Sequence, residues 1–254
     1  MRVTAVIPAR YGSSRFPGKP LKAQTGKPLI QHVVEQVRRA RRIDQVIVAT
    51  DDERIASSVR GFGGDACMTR SDHPTGTDRI AEVIRMVGGD ANDIIVNVQG
   101  DEPEMESSYV DRLVARLADE RDCPVATLAC PFPADSDSRD PNRVKVVTNR
   151  LRRAMYFSRA LIPYPRDPDA AVDATGWLLH LGIYAYRQAF LLEYAQWETG
   201  ALEGVEKLEQ LRVLERGVAM AVEVVEHAVA GVDTPADYEA FVRRWRAAQQ
   251  AARG

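Results

Sequence analysis

Three cationic residues stand close together just after the first apolar run of the sequence. The stretch VIPARYGSSRFPGKPL contains Arg10, Arg15 and Lys19 together with two glycines. Arginine binds phosphate oxygens through paired N–H groups, lysine adds a compact positive charge, and glycine lets backbone N–H groups approach an anion. The stretch therefore predicts a phosphate-binding loop, here called the phosphate loop (residues 10–20). A solvated basic loop is the alternative interpretation.

Two familiar nucleotide-binding patterns do not describe the phosphate loop. Its spacing, G-x-x-x-x-x-G-K-P, is one residue longer than the Walker A motif. Pro20 also stands where the Walker motif has a Ser or Thr that binds magnesium. The stretch lacks the dinucleotide pattern G-x-G-x-x-G as well. Neither a Walker-type site nor a dinucleotide site is therefore predicted here.

Two acidic residues far apart in the sequence are candidate magnesium ligands. Asp101 follows an apolar run in VNVQGDEP, with Glu102 beside it as a second choice, and Asp233 lies just before a helix start in AGVDTPAD. Magnesium prefers oxygen ligands, typically one or two carboxylates with substrate phosphates and water. An ordinary turn at Asp101 and an acid stabilised by the helix dipole at Asp233 are the alternatives, and spacing alone leaves them open.

A strand-like segment in the second half carries polar side chains on one face. Strand alternation in HLGIYAYR puts His180, Gly182, Tyr184 and Tyr186 on one face and apolar residues on the other. The first face offers hydrogen-bond donors, acceptors and flat aromatic surfaces, which suit a polyhydroxylated acid. A solvent-facing strand surface is the alternative.

The elements that must position these residues follow an alternating order in the first half of the chain. Short β-branched runs alternate with segments of helical period, which predicts βαβ units and a mainly parallel sheet. Ligands of such sheets bind at the carboxyl ends of the strands, where the phosphate loop and Asp101 are expected. The runs lie at 3–7, 45–50, 93–98 and 124–129.

The order of elements changes after residue 130. Loops rich in proline and aspartate separate strand-like runs without helices between them, which predicts a small antiparallel excursion over residues 130–190 within a single domain, 1–254. Helices are predicted over 200–217 and 234–252, the second with Thr234 as its N-cap.

Composition excludes several classes of protein. The chain has 254 residues, a net charge of −2, and 45% hydrophobic and 28% charged residues, which is ordinary for a globular protein and gives no general attraction to nucleic acid. The three scattered cysteines do not form a disulfide framework or a metal pattern. The sequence shows neither a signal peptide nor an apolar run long enough to span a membrane, so we expect a cytoplasmic protein without a membrane partner.

A series of stretches closely resembles, in order, the 3-deoxy-manno-octulosonate cytidylyltransferases, or CMP-KDO synthetases. The resemblance covers nearly the whole chain and is carried by IPARYGSSRFPGKPL, ATDDERIA, CMTRSDHPTGTDRIAEV, VNVQGDEP, NRVKVV, YFSRALIPYPRD, HLGIYAYR, LEQLR and GVDTPAD. It implies a Rossmann-like nucleotidyltransferase fold and a homodimer. It also implies the cytoplasmic reaction of CTP with KDO, which gives CMP-KDO and pyrophosphate with magnesium as cofactor, in lipopolysaccharide biosynthesis.

The resemblance also implies roles for individual residues. Magnesium would be held by Asp101 and Asp233, which with Arg10 and Lys19 would be the catalytic residues. CTP would be bound by Arg10, Arg15, Lys19, Thr69, Arg70, Ser71, Thr75, Gly76, Thr77 and Gln99. The sugar acid would be bound by Arg159, His180, Tyr184, Glu209 and Gln210. The remaining histidines, His32, His73 and His227, are interpreted as non-catalytic.

Three alternatives remain beside this interpretation. The substrate could be the 8-amino variant of KDO or another sugar acid, as in CMP-sialate synthetases, although HLGIYAYR and LEQLR fit the latter group poorly. A non-catalytic nucleotide-sugar binding module is the third alternative, and such a module could lose Asp101 or Asp233, both of which are present. One departure from the family pattern is Asp78, which stands where the motif more often has Glu.

Overall fold

The computed structural model describes residues 1–12, 15–133, 136–166 and 176–252. These residues form an α/β fold with parallel and antiparallel strands, which confirms the predicted fold class. The chain divides into two compact units, Met1–Asp111 with Val229–Gly254 and Arg112–Ala228.

This division does not test the predicted organisation of the chain. A single nucleotidyltransferase domain over 1–254 stays a prediction. The antiparallel strands fall in the second unit, as expected for the excursion over 130–190. Residues 134–135 and 167–175 of that excursion lie outside the described residues.

The first unit contains a four-stranded parallel sheet. Its strands are β1 (Val3–Ala9), β2 (Gln45–Thr50), β3 (Asp65–Met68) and β4 (Ile94–Asn97), in the order β3-β2-β1-β4. Nearly every residue of β1 and all of β4 are buried, which explains why their sequences are almost continuously apolar. The sheet confirms the parallel arrangement predicted from the alternating elements.

A helix follows each of the four parallel strands, and one more lies near the end of the chain. They are α1 (Leu29–Arg38), α2 (Glu53–Gly61), α3 (Gly76–Val87), α4 (Ser107–Asp119), which continues into the second unit, and α8 (Pro235–Ala251), with a 3₁₀ turn over Lys19–Leu21. Leu29, Val33 and Val37 of α1 are fully buried, which matches the period of its sequence. The N-cap of α8 is Thr234, which forms the predicted capping box with Asp237.

The second unit contains the antiparallel strands. Its elements are β5 (Val125–Pro131), β6 (Lys145–Thr148), β7 (Ala154–Ser158), β8 (Leu178–Arg187), α5 (Gln188–Tyr194), α6 (Ala201–Glu206), α7 (Leu211–Glu215) and β9 (Met220–Val224). β5 pairs antiparallel with β8 and parallel with β9, while β6 pairs antiparallel with β7 and β8.

The single helix predicted over 200–217 is wrong, because two short helices occupy this stretch. α6 ends at Lys207, whose φ of 54° is left-handed, and its N–H donates to the carbonyl of Glu203. The turn that follows buries Leu208, which is 6% exposed. The sequence pattern did not reveal this break, because the helical spacing of Val205, Leu208 and Leu211 continues through it.

Two further findings concern the predicted class of protein. No helix in the described part of the chain combines the length and apolarity that crossing a bilayer requires. Cys67, Cys123 and Cys130 are free thiols, as expected from their scattered positions. Burial raises the pKa of Cys123 and that of Cys130 to about 11, so both are unreactive at neutral pH.

Candidate active site

A cavity of about 300 Å³ lies at the carboxyl edge of the parallel sheet in the first unit. The phosphate loop begins directly after β1, and Gln99 follows shortly after β4. Since β1 and β4 are parallel neighbours, the segments that follow them meet at this edge. The cavity lining includes seven of the residues predicted for CTP or magnesium: Arg10, Arg15, Lys19, Gly76, Gln99, Asp101 and Asp233.

The phosphate loop is closed at its base by a backbone hydrogen bond. The N–H of Gly18 donates to the carbonyl of Tyr11 at 2.9 Å, and Gly18 has a left-handed φ of 68°. A Cβ at this position would also lie 3.1 Å from the Tyr11 ring, so both the conformation and the space require glycine. The guanidinium of Arg54 stacks over the Tyr11 ring, 3.4 Å from its centroid.

Phe16 anchors the middle of the loop in the core of the first unit. It is 9% exposed and belongs to an apolar cluster with residues of α1, of α8 and of the segment before α8. Its ring lies 5.8 Å from that of Tyr238, centroid to centroid. Because Phe16 stands between Arg15 and Lys19 in the chain, its burial fixes where both cations emerge.

Lys19 contacts both of the predicted magnesium ligands. Its Nζ lies 2.7 Å from Oδ2 of Asp101 and 3.6 Å from Oδ1 of Asp233. Arg15 adds a contact of 2.9 Å to the same oxygen of Asp233. The carboxylate of Asp233 therefore faces the phosphate loop, which favours a ligand-binding role over stabilisation by the helix dipole.

The two carboxylates fit a magnesium ion that also binds a nucleotide. Among the described residues, no group of three or more His, Cys, Asp or Glu gathers into a metal site. An ion held by Asp101 and Asp233 would therefore complete its coordination with phosphate oxygens and water, as magnesium commonly does. The metal role of these two residues stays a prediction.

Glu102, the second choice at this position, is a weaker candidate ligand. Burial and the neighbouring charge of Asp101 raise the pKa of Glu102 to about 8, so its carboxyl is mostly neutral at pH 7. Its Oε2 is shielded from solvent and has no hydrogen-bond partner among the described residues. A neutral carboxyl binds magnesium poorly, so the structure favours Asp101.

The segment between β3 and α3, here called the β3–α3 loop (residues 69–75), contains several predicted CTP-binding residues. Thr69 is buried, and its hydroxyl accepts a hydrogen bond of 2.6 Å from the guanidinium of Arg79. Arg79 is fully buried and forms an ion pair of 3.2 Å with Asp51, directly after β2. Arg79 thus ties the carboxyl ends of β2 and β3 together.

The other predicted residues of this region differ in their surroundings. Arg70 and Ser71 are exposed, whereas Thr77 is buried. Thr75 is the N-cap of α3 and forms a capping box with Asp78, so the shorter Asp replaces the usual Glu there without loss of the cap. Within the described residues, Gly76 is the member of this region that lines the cavity. The CTP-binding roles of the others stay predictions.

The second unit brings together most of the residues predicted for the sugar acid. On β8 the rings of His180 and Tyr184 lie 5.5 Å apart, and those of Tyr184 and Tyr186 lie 5.8 Å apart, centroid to centroid. Leu181, Ile183 and Ala185 are buried on the opposite face, as the alternation predicts. The aromatic side chains therefore form one continuous surface.

The imidazole of His180 is held by the hydroxyl of Thr127, which lies 2.9 Å from its Nε2. The same hydroxyl lies 2.8 Å from the carbonyl of Ile183, and when it donates to that carbonyl its oxygen accepts from Nε2–H. Nδ1 is then an acceptor for a hydroxyl group. Burial lowers the pKa of His180 to about 3, so the ring stays neutral at physiological pH.

Glu209 lies near these aromatic residues. Burial raises the pKa of Tyr184, and the negative charge of Glu209 adds to this effect, which requires the two groups to be close. Gln210 is 5% exposed and is the N-cap of α7. The cluster of His180, Tyr184 and Glu209 therefore contains an imidazole, a phenol and an acidic group.

Arg159 differs from the other predicted sugar-binding residues in its contacts. All three nitrogens of its guanidinium donate to main-chain carbonyls, those of Glu206 at 2.7 Å, Pro141 at 2.9 Å and Lys207 at 3.3 Å. In this arrangement Arg159 stabilises the end of α6. A contact between Arg159 and the sugar stays a prediction.

Comparison with known proteins decides the family. The model of a family described as "Cytidylyltransferase" matches residues 4–223. A 3-deoxy-manno-octulosonate cytidylyltransferase from Syntrophobacter fumaroxidans is 53% identical over 242 residues, 95% of this chain and 96% of the relative. The chain belongs to the 3-deoxy-manno-octulosonate cytidylyltransferase family. It is therefore a nucleotidyltransferase, as predicted.

Further members of the family support this assignment over the full length. The relative from Geobacter sulfurreducens is 48% identical over 251 residues, 96% of this chain and 99% of its own. A solved structure of CMP:2-keto-3-deoxy-manno-octonic acid synthetase complexed with CTP superposes with a TM-score of 0.90 and 44% identity, covering 98% of this chain and 100% of its own. The cytidylyltransferase structure from Leptospira borgpetersenii, with 16% identity and a TM-score of 0.63 over 95% and 85% of the two chains, shares the fold.

Several residues around the cavity escaped prediction from the sequence. Tyr11 and Arg54 support the base of the phosphate loop, and Arg79 and Glu82 hold the β3–α3 loop. Arg79 stands four residues before Val83 on the buried side of α3, and a charge at such a position is the one signal that marks it. Glu82 lies away from that side, so the sequence carries no such signal for it.

Proposed function

We propose that this protein transfers CMP from CTP to 3-deoxy-D-manno-octulosonate and releases pyrophosphate. The observation that carries the proposal is the cavity of the first unit, where Arg10, Arg15 and Lys19 meet Asp101 and Asp233. These cations and acids occur together in a chain of the family whose members carry this activity in their names.

The cations of the cavity act on the phosphates of CTP. A triphosphate and a sugar acid are both anions, so their approach is unfavourable unless positive charges offset the repulsion. Arg10 and Arg15 bind phosphate oxygens through their N–H groups, and Lys19 neutralises negative charge on the pyrophosphate as it leaves. The chemical step then depends on position and charge rather than on a protein nucleophile.

Magnesium is the proposed cofactor, held by Asp101 and Asp233. When bound, a divalent ion supplies positive charge at the phosphate oxygens. The protein supplies the two carboxylates, and their contacts with Lys19 and Arg15 keep them directed at the cavity. Two charged oxygen ligands at the mouth of a phosphate loop support this proposal.

The aromatic cluster of the second unit supports the binding of a polyhydroxylated acid. The imidazole of His180 is neutral, so it serves as a hydrogen-bond partner for a hydroxyl group and does not act as a proton carrier in the reaction. The phenol of Tyr184 keeps its hydrogen because burial and Glu209 raise its pKa, and it can donate to a sugar oxygen. Glu209 and Gln210 add an acceptor and an amide, respectively.

Three finer parts of the proposal come from the family resemblance alone. They are the cytoplasmic location, the homodimer and the place of the product in lipopolysaccharide biosynthesis, and each stays a prediction.

Pyrophosphate release is the experiment that tests the proposed function. The protein is assayed with magnesium, each of the four nucleoside triphosphates, and a panel containing KDO, its 8-amino variant and a sialic acid. We expect turnover with CTP and KDO, and faster turnover with KDO than with the other acids. Faster turnover with the 8-amino variant would identify that sugar acid as the substrate. Binding of CTP without turnover of any acid would identify the protein as a binding module.

A further inference from the structure

Glu82 on α3 binds the β3–α3 loop at two points. Its Oε2 accepts a hydrogen bond of 3.1 Å from the backbone N–H of Arg70 and a second one from Nε2 of His73. The side chain of Glu82 is 16% exposed. Burial acts to raise the pKa of Glu82, but the hydrogen bonds from His73 and Arg70 outweigh it and lower the pKa below its ordinary value. The carboxylate is therefore charged at neutral pH and holds both donors.

His73 links this carboxylate to the phosphate loop. Its side chain is 7% exposed, and its backbone carbonyl accepts a hydrogen bond of 2.5 Å from Nη2 of Arg10. Arg10 lines the cavity directly after β1. A fixed path of contacts thus runs from Glu82 through His73 to a cation of the cavity.

The contact with His73 directs the guanidinium of Arg10. A guanidinium carries five N–H donors in a rigid plane, so one carbonyl sets the direction of the plane and leaves the other donors for an anion. An unguided arginine at this exposed position would sample many rotamers, and ordering it would reduce the affinity for the ligand. Because Glu82 holds His73, the His73 carbonyl is in place before the ligand binds and already restricts the rotamers of Arg10.

We propose that Glu82 is a positioning residue for nucleotide binding, which acts through His73 on the direction of the Arg10 guanidinium. The inference rests on the proposed function, because it assigns Arg10 to the phosphates of CTP. The proposal also gives His73 a role, since Glu82 holds its side chain and its backbone carbonyl holds Arg10.

Binding of CTP without the sugar acid tests the proposal, because no turnover then occurs. Calorimetric titrations with CTP and magnesium compare the wild type, Glu82→Ala, Arg10→Met and the double variant. We expect Glu82→Ala to weaken CTP binding about tenfold and Arg10→Met to weaken it by about ten- to a hundredfold. Because Glu82 acts through Arg10, the double variant should bind like Arg10→Met alone.

Two further variants separate positioning from general loss of structure. Glu35→Ala is the matched control, since Glu35 on α1 also holds a loop residue, Lys27, at 2.8 Å outside the cavity. It should leave CTP binding unchanged. Glu82→Gln keeps an acceptor oxygen and should fall between the wild type and Glu82→Ala, which keeps the test open if Glu82→Ala does not fold. The KM for the sugar acid should stay constant in all Glu82 variants that turn over.

The outcomes distinguish this inference from the proposed function. If Glu82→Ala weakens CTP binding by the same factor with and without Arg10, the residue acts independently and the inference is overturned, while the proposed function stands. Unchanged CTP binding in Glu82→Ala overturns it as well. A wild-type protein that neither binds CTP nor releases pyrophosphate would overturn both.

Discussion

Replacing Lys19 by Met should change two measurements in opposite directions. The ammonium of Lys19 lies 2.7 Å from Asp101 and 3.6 Å from Asp233, so it holds the position of a cation between two carboxylates. Without its charge, the acids should attract a divalent ion more strongly in the nucleotide-free protein. The same change should slow turnover with CTP, because the phosphates lose a positive partner.

The magnitude of the first effect follows from the distances. Magnesium and manganese bind carboxylate oxygens at about 2.1 Å, so an ion on Oδ2 of Asp101 would lie within about 5 Å of the Lys19 ammonium. At the effective dielectric constant of about 20 that is typical near a protein surface, a unit charge and a divalent ion about 5 Å apart interact by about 7 kcal/mol. Solvent reduces this for a site in which Asp101 is 31% and Asp233 50% exposed. We expect about 1.5–3 kcal/mol to remain, which corresponds to manganese binding about 10- to 100-fold tighter.

The assay combines manganese binding with kinetics. Free manganese is measured by electron paramagnetic resonance during titration of the nucleotide-free protein, and kcat is measured by pyrophosphate release. Lys19→Met should bind manganese more tightly and lose about a hundredfold in kcat. Lys27→Met, which removes a lysine outside the cavity, should change neither. Manganese affinity that stays the same or falls in Lys19→Met would refute the view that the ammonium repels an ion bound to these carboxylates.

The remaining predictions concern metal, sugar and pH. Asp101→Asn and Asp233→Asn should each lower kcat by at least about a hundredfold with little change in the melting temperature, because the amides lose the charge that holds magnesium; kinetics with a thermal melt checks this. His180→Ala and Tyr184→Phe should raise the KM for the sugar acid and leave the KM for CTP nearly unchanged, with about 1–3 kcal/mol lost in kcat/KM for the sugar; equal rises in both KM values would contradict the assignment. The pKa of Glu102 is raised by folding, so stability should fall as the pH rises from the ordinary pKa of 4.5 to about 8. Glu102→Gln should therefore melt higher than the wild type at pH 8.5, by a difference that shrinks at pH 5, and a pH-independent difference would contradict this.

The parallel sheet and the cavity could be predicted from the sequence because their signals are local. β2 occupies the predicted residues 45–50 without a shift, since a run of buried β-branched residues has no other way to pack. The proximity of the phosphate loop and Asp101 could be predicted because both follow parallel strands, and the carboxyl ends of parallel strands lie at the same edge of the sheet. The position of Asp233 beside Arg15 did not follow from any such rule.

Elements without a clear hydrophobic pattern could not be predicted. β3 has four residues, none of them buried, so it offers neither alternation nor a continuous apolar run. The helical spacing of the sequence continues through Lys207, where the chain adopts a left-handed φ, so the local pattern does not reveal the division of the helix.

The supports of the site are hidden from sequence analysis for a different reason. Arg79 and Glu82 are ordinary helix residues in composition, and their importance comes from their contacts with Asp51 and with the β3–α3 loop. His73 contributes mainly a backbone carbonyl to Arg10, which any residue type could supply. A pattern of side-chain types therefore finds residues that line the cavity and misses those that hold them.

The order of segments in the chain determines when the nucleotide site can form during synthesis. Phe16 leaves the ribosome early, but its partners Tyr238 and Phe241 belong to a segment that follows the whole second unit. Translation proceeds at about 5–20 residues per second, so several seconds pass while the second unit is made, before Tyr238 and Phe241 are added. During that interval the apolar side chain of Phe16 under the phosphate loop has no packing partner from the last helix. A chain that ends before residue 229 would contain Asp101 but lack Asp233. We therefore expect the apolar surface of Phe16 to be open to a chaperone until the last helix is made.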